Sequence, residues 1–154
     1  RSAVLAGRTL ADAVRNVFVI WLIVGVGAAV GFRFHGSAGG AIVAFAIALL
    51  FGYAFSWVFA VVALIVRQVE GAQVASLLVV FPLVFASSAF VPVASMPAWL
   101  QVFTRHQPVS ITVSAVRALT QGSSAGTLPL TSVAWSLGIL AVAAPLAVTL
   151  YRRL

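Results

Sequence analysis

Ser95–Leu119 reads SMPAWLQVFTRHQPVSITVSAVRAL. Pro97 and Pro108 interrupt it, and Arg105, His106 and Arg117 add polar groups that hydrocarbon does not welcome. It is nevertheless too apolar for an ordinary loop. Ser95 is expected to cap a short helix with Pro97 in its first turn, where a missing N–H costs little. Trp99, Val102 and Phe103 then form an apolar stripe at helical spacing. Arg105 and His106 close that helix ahead of Pro108. A second helix is expected from Pro108 to about Thr120, with Ile111, Ser114 and Arg117 among its faces. Pieces of about 10–13 residues re-enter a membrane or lie at its surface rather than span it. The segment 95–120, with Pro92 just ahead of it, is therefore read as a helical hairpin that dips into a bilayer and returns.

Composition supplies the bilayer. The chain has 154 residues, 63% hydrophobic and 7% charged. A soluble domain carries about 25% charged residues. Apolar blocks recur along the whole length, so the class is an all-α, polytopic membrane protein. The net charge of +7 comes from nine arginines against Asp12 and Glu70. They are scattered between apolar blocks, not clustered on one face, so they read as topology signals and not as a nucleic-acid surface. Without cysteine, disulfides and thiolate chemistry are excluded. Without lysine, no phosphate-binding GxxxxGK[ST] loop is possible, so ATP and its Mg²⁺ would be held by another polypeptide. The sequence opens on Arg1, not methionine, and an N-terminal part is expected to precede it.

Four crossings frame the hairpin. RSAVLAGRTLADAVRN (1–16) places Arg1, Arg8 and Arg15 seven apart with Asp12 between them, so residues 1–15 read as an amphipathic lead-in at the cytosolic surface. Residues 16–32 form the first span, and its GAAVG (Gly27–Gly31) is a small-xxx-small pair suited to close helix packing. RFHGSAGG then turns the chain, with Arg33 and His35 at the interface. Residues 39–66 form the second span. Tyr53 and Trp57 share a face there with Ser56 beside them, packing against neighbours or walling a substrate path. RQVEG closes it, where Arg67 and Glu70 are spaced to pair. Residues 71–90 form the third span, with Gln73, Ser76, Ser87 and Ser88 as polar points and Pro82 as a kink. Residues 129–150 form the last, with Trp135 in an aromatic belt, Pro145 as a second kink, and Tyr151, Arg152 and Arg153 at the far interface.

Arginine bookkeeping sets the sides. Arg1, Arg8 and Arg15, then Arg67, then Arg152 and Arg153 fall on one side only if the full crossings are even in number. A fifth crossing through residues 95–119 would separate the two ends. The hairpin therefore returns to the outer side, and Arg105 and Arg117 reach water by snorkelling.

FASSAFVPVASMPAWLQVFTRHQPVSITVSAVRAL (85–119) resembles the C-terminal signature of ABC-2 type exporter permeases, in the daunorubicin-resistance branch that includes actinobacterial drug and lipid exporters. The opening RSAVLAGRTLADAVRN, the turn GFRFHG (31–36) and the tail PLAVTLYRR (145–153) look like that branch too. The resemblance implies six membrane helices with both ends cytosolic and an outer re-entrant hairpin before the last. Residues 1–154 would then be the C-terminal portion of the transmembrane domain, with the first two helices missing. It also implies two permeases, identical or sibling, paired with two ATPase subunits in the plasma membrane, the cargo being a drug or lipid.

The chemistry of the residues agrees. There is no carboxylate pair, thiol or His–Asp constellation, so the chain is not expected to be an enzyme or to bind a metal or cofactor itself. Free energy must come from a partner through cytosolic contacts, for which Arg1, Arg8, Asp12, Arg15, Arg67 and Glu70 are the candidates. Tyr53, Ser56, Trp57, Pro82, Ser87 and Ser88 are the candidate substrate path. A passive channel, a structural membrane subunit and a membrane-embedded transferase are the alternatives; the last lacks a buried acid, histidine or metal site.

Overall fold

A computed structural model describes residues 2–31, 33, 35–66 and 68–152, with the side chains at 2–6, 8–10, 12, 13 and 69 left undescribed. Among the described residues six α-helices follow one another: α1 Ser2–Ala29, α2 Ala38–Val66, α3 Val69–Phe85, α4 Ala98–His106, α5 Pro108–Gln121 and α6 Leu128–Arg152. A short 3₁₀ turn, Val93–Ser95, precedes α4. No strand occurs among the described residues.

Two helices, Ala38–Val66 and Leu128–Arg152, are long and apolar enough to cross a membrane. The apolar parts of α1 and α3, Val14–Ala29 and Glu70–Phe85, are shorter. The expected lead-in and first span are one unbroken helix, α1, because residues 2–16 contain no proline and the single Gly7 is too little to stop it. The expected third span stops at Phe85, five residues early. Pro82 removes a backbone donor, and the chain leaves the helix one turn later.

The helix ends have local causes. Gly31, at φ 105°, stops α1. The Ser37 hydroxyl caps α2 by accepting from the Gly40 N–H at 3.0 Å. Pro108 opens α5, and Gly122, at φ 72°, closes it in the left-handed region. One expected cap is corrected. Pro97, not Ser95, occupies the cap position of α4. The Ser95 hydroxyl donates to the Pro92 carbonyl at 2.7 Å, inside the 3₁₀ turn. Of the expected Gly27–Gly31 pair, Gly31 lies beyond the end of α1, with nothing within 4 Å of where its Cβ would stand.

Close packing occurs instead where α5 meets the start of α2. A Cβ on Gly36 would collide with the Leu119 carbonyl oxygen, and one on Gly40 would lie 2.9 Å from it. The N–H groups of His35 and Gly36 both donate to the Thr120 carbonyl, at 3.1 and 3.0 Å. The end of α5 and the start of α2 are thereby fixed together, and α6 starts six residues after Gly122. Lower down, Val61 of α2 packs with Ala143 and Ala147 of α6. The two long helices therefore run in the same direction, with α5 antiparallel beside them.

The interior is built of small residues. Ala44, Ala54, Ala115, Ala118, Ala143 and Ala147 are buried, and the largest side chains that are fully buried are Thr104, Ser87, Ser132 and Ser136. The large apolar side chains point outward: Phe18, Trp21, Leu22 and Ile23 on α1, and Leu77, Leu78, Phe81 and Phe85 on α3, are all more than half exposed. Water would reject such a surface. Lipid tails are as apolar as leucine, so in a bilayer contact comes from small residues that let backbones approach and from buried hydroxyls.

Candidate functional site

The end of α3 meets the tip of the α4–α5 hairpin in a buried polar junction. A helix leaves its last carbonyls without partners, and in an apolar setting each must find a donor. The Ala86 carbonyl finds two. Thr104 Oγ1 donates to it at 2.7 Å, and Gln107 Nε2 donates at 2.7 Å. Thr104 is fully buried and Gln107 is 4% exposed.

Ser88 carries the contact further. Its N–H donates to Ser110 Oγ at 3.0 Å, and its hydroxyl lies 3.3 Å from Ser114 Oγ and 3.4 Å from the Ser110 carbonyl. Arg117 Nη2 donates to the Ser88 carbonyl at 3.4 Å. Gln107 Nε2 also donates to Ser110 Oγ at 3.0 Å, which leaves Gln107 Oε1 buried without a donor. On the other side of α5, the hydroxyls of Thr112 and Ser132 are 2.7 Å apart and buried, tying the hairpin to α6.

Ser87 and Ser88, candidates for a substrate path, are thus buried at this junction. Ser87 Oγ donates to the Val84 carbonyl at 2.6 Å. Pro82 is exposed one turn below them. Tyr53, Ser56 and Trp57 stand apart from them on α2. The Tyr53 and Trp57 rings meet edge to face with centroids 6.4 Å apart, and Ser56 Oγ donates to the Tyr53 carbonyl at 2.7 Å. Trp57 packs against the cluster of Val61, Ala143 and Ala147, and its Nε1–H is buried without an acceptor. None of these six residues lines the clefts described next.

One cleft of about 500 Å³ lies between α1, α2 and α5, walled by Trp21, Val24, Ala41 and Phe45. A second, of about 570 Å³, adjoins it through Ile20, Ala48, Val116 and Thr120 and adds Asn16, Thr112, Arg117 and Gln121. A third, of about 560 Å³, separates α2 from α3 between Phe59, Ala63, Gln73 and Ser76.

The expected hairpin residues lie on α4, α5 and the turn before them. Trp99, Val102 and Phe103 are exposed on one apolar face of α4. Arg105 is exposed, and its Nη2 donates to Gln101 Oε1 at 3.5 Å. His106 Nδ1–H donates to the Val102 carbonyl at 2.8 Å, so this ring nitrogen is committed within its own helix. Pro92 and Pro97 flank the 3₁₀ turn.

Of the candidate cytosolic contacts, Arg15 is exposed on α1 and Glu70 is exposed in the first turn of α3, where a carboxylate suits the helix dipole. Arg1 and Arg67 lie outside the described residues, so the expected Arg67–Glu70 pair does too, as do the side chains of Arg8 and Asp12. Sequence reasoning missed Thr104, Gln107, Ser110 and Ser132. A signal was present: Thr104 and Gln107 lie three apart directly ahead of Pro108, one helical turn from each other.

The model of the family described as "ABC-2 type transporter" matches residues 1–120. The chain is 34% identical, over 97% of its length, to the daunorubicin resistance ABC transporter permease protein DrrB1 of Streptomyces coeruleorubidus, of which it covers 53%. It is 32% identical, over 99% of its length, to the probable doxorubicin resistance ABC transporter permease protein DrrC of Mycobacterium tuberculosis, of which it covers 55%. It spans about half the length of the curated relatives it matches. No solved structure matches it. With the family model covering most of the chain, and relatives above 30% identity along nearly all of it, the chain belongs to the ABC-2 type transporter family.

Proposed function

We propose that this chain is the C-terminal membrane part of a permease subunit in an ATP-driven exporter, carrying a hydrophobic or amphipathic drug or lipid outward across the plasma membrane. The observation that carries the reading is its end-to-end similarity to relatives whose names specify drug-resistance ABC permeases.

In this reading α1, α2, α3 and α6 supply four crossings, and two further helices precede them in the full protein. Arginine at residues 1–15, 67 and 152–153 holds those ends in the cytosol. The α4–α5 hairpin re-enters from outside. α3 rises about 25 Å against about 43 Å for α2, so in this reading α3 ends within the bilayer, residues 86–94 complete its crossing, and its open carbonyls need the hairpin.

The chain hydrolyses nothing itself. Separate ATPase subunits bind ATP and Mg²⁺, and a second permease, identical or sibling, completes the pathway among membrane lipids. Arg1, Arg8, Asp12, Arg15, Arg67 and Glu70 form the surface these subunits push on. Tyr53, Ser56 and Trp57 wall the path on α2, and Pro82 lets α3 bend beside it. The Trp57 N–H, buried without an acceptor, supports a role in meeting a polar group on cargo in another state of the cycle.

The test is affinity purification of the full-length protein from native membranes, followed by mass spectrometry. The reading expects a bound nucleotide-binding subunit and ATP-dependent cargo movement once both are placed in liposomes. Ion conductance by the permease alone, with no ATPase recovered, would defeat it.

A further inference from the structure

We infer that the junction between residues 86–88 and the hairpin tip is a fixed pivot, closed throughout the transport cycle, about which the part of α3 below Pro82 swings. The existence of a cycle rests on the exporter reading; the position of the pivot rests on geometry alone.

The hairpin is anchored before it meets α3. The His35 and Gly36 N–H groups hold the Thr120 carbonyl, and the buried Thr112–Ser132 pair ties α5 to α6. Glycine at 36 brings the two backbones into direct contact. What binds the hairpin is therefore bound to the scaffold of α2 and α6.

The far end of α3 is bound to it. Opening the junction would strip the Ala86 carbonyl of both donors and the Ser88 amide of its acceptor at once, among buried side chains. Bending α3 is easier. Pro82 has no N–H to give the carbonyl one turn earlier, so the helix is weakest just below the junction.

The lower part of α3 also has room. A cleft of about 560 Å³, lined by Phe59, Ala63 and Leu77, opens between it and α2 although the two helices also touch, and Val74 and Leu78 are exposed. Glu70 lies at the end of this lever, about 18 Å along the axis from Pro82. A push there moves the lower helix and leaves the junction in place. Thr104 and Gln107 act as positioning residues: they hold the pivot and need touch no cargo.

The chain contains no cysteine, so a Ser88→Cys, Ser114→Cys pair can be read without background from this segment. The native hydroxyls are 3.3 Å apart. In the full-length protein with its ATPase, the disulfide is expected to form equally fast without nucleotide and in the ATP-trapped state. Cross-linking in only one nucleotide state, or no cross-link at all, would overturn the pivot.

A second variant, Thr104→Val with Gln107→Leu, loosens the junction. Cargo moved per ATP hydrolysed should fall at least about fivefold with the ATPase rate retained; an unchanged ratio would also overturn it. If the parent complex shows no ATP-dependent transport, the exporter reading fails, and cross-linking in the two nucleotide states still decides the pivot.

Discussion

Gln107, at the tip of the hairpin, donates from Nε2 to the Ala86 carbonyl 2.7 Å away and so closes the open end of α3. Thr104, one turn earlier on α4, reaches the same oxygen at the same distance. Two donors on one acceptor make a non-additive pair.

Thr104→Val and Gln107→Leu should each lower stability by about 1 kcal/mol, because the carbonyl keeps one partner. The double variant leaves it bare and should exceed the sum of the singles by about 1 kcal/mol. Thermal unfolding in detergent, run as a double-mutant cycle, checks this; strict additivity would mean the two donors act independently.

Gly36→Ala places a methyl group against the Leu119 carbonyl oxygen, with main chain on both sides of the contact. Neither can yield without moving α5. A loss above about 2 kcal/mol is expected, with the His35–Thr120 and Gly36–Thr120 bonds disturbed. Gly25→Ala is the control. It sits inside α1 with nothing within 4 Å, so it should be neutral or gain about 0.5–1 kcal/mol in the same assay.

These residues also show how far the sequence could be read. Pro108 marks the start of α5 plainly, because its ring fixes φ in any context, and Gly122 permits the left-handed angle at which α5 ends. The end of α3 was not legible: apolar residues continue past Pro82 to Phe90, and hydropathy cannot separate a helix from a buried turn of similar composition. Hydropathy alone therefore puts Ser87 and Ser88 on a helix that the chain has already left. Serine commonly caps a helix, which points to Ser95, but the 3₁₀ turn takes its hydroxyl first. The core was hidden for a different reason. In lipid the inside is marked by alanine and serine rather than by leucine, so Ala115 and Ser132 carry no hydropathy signal that distinguishes them from their neighbours.

Trp57→Phe keeps the ring against Val61, Ala143 and Ala147 but removes a buried N–H that has no acceptor. The unfolding midpoint should hold or rise, since an unsatisfied donor costs about 1–3 kcal/mol. If the N–H serves cargo, cargo-stimulated ATP hydrolysis should fall several-fold in the same protein. Unaltered stimulation would reduce Trp57 to a packing residue.

Glu70→Lys reverses an exposed charge in the first turn of α3 and sets a cation against the helix dipole. Stability should fall by less than about 1 kcal/mol. Transport and co-purification of the ATPase should fall far more, by several-fold, if this turn belongs to the surface the ATPase pushes on. Retention of both would remove Glu70 from that surface.

The claim on which the account depends is that residues 95–121 turn back instead of crossing. Single cysteines at Ser95 and Ser124, both exposed and on opposite flanks of the hairpin, test it in intact cells with a membrane-impermeant maleimide. The account predicts that both are labelled from outside, and that a cysteine at Gln68 is labelled only after permeabilisation. Labelling of Ser95 and Ser124 from opposite sides would make the hairpin a full crossing and contradict it.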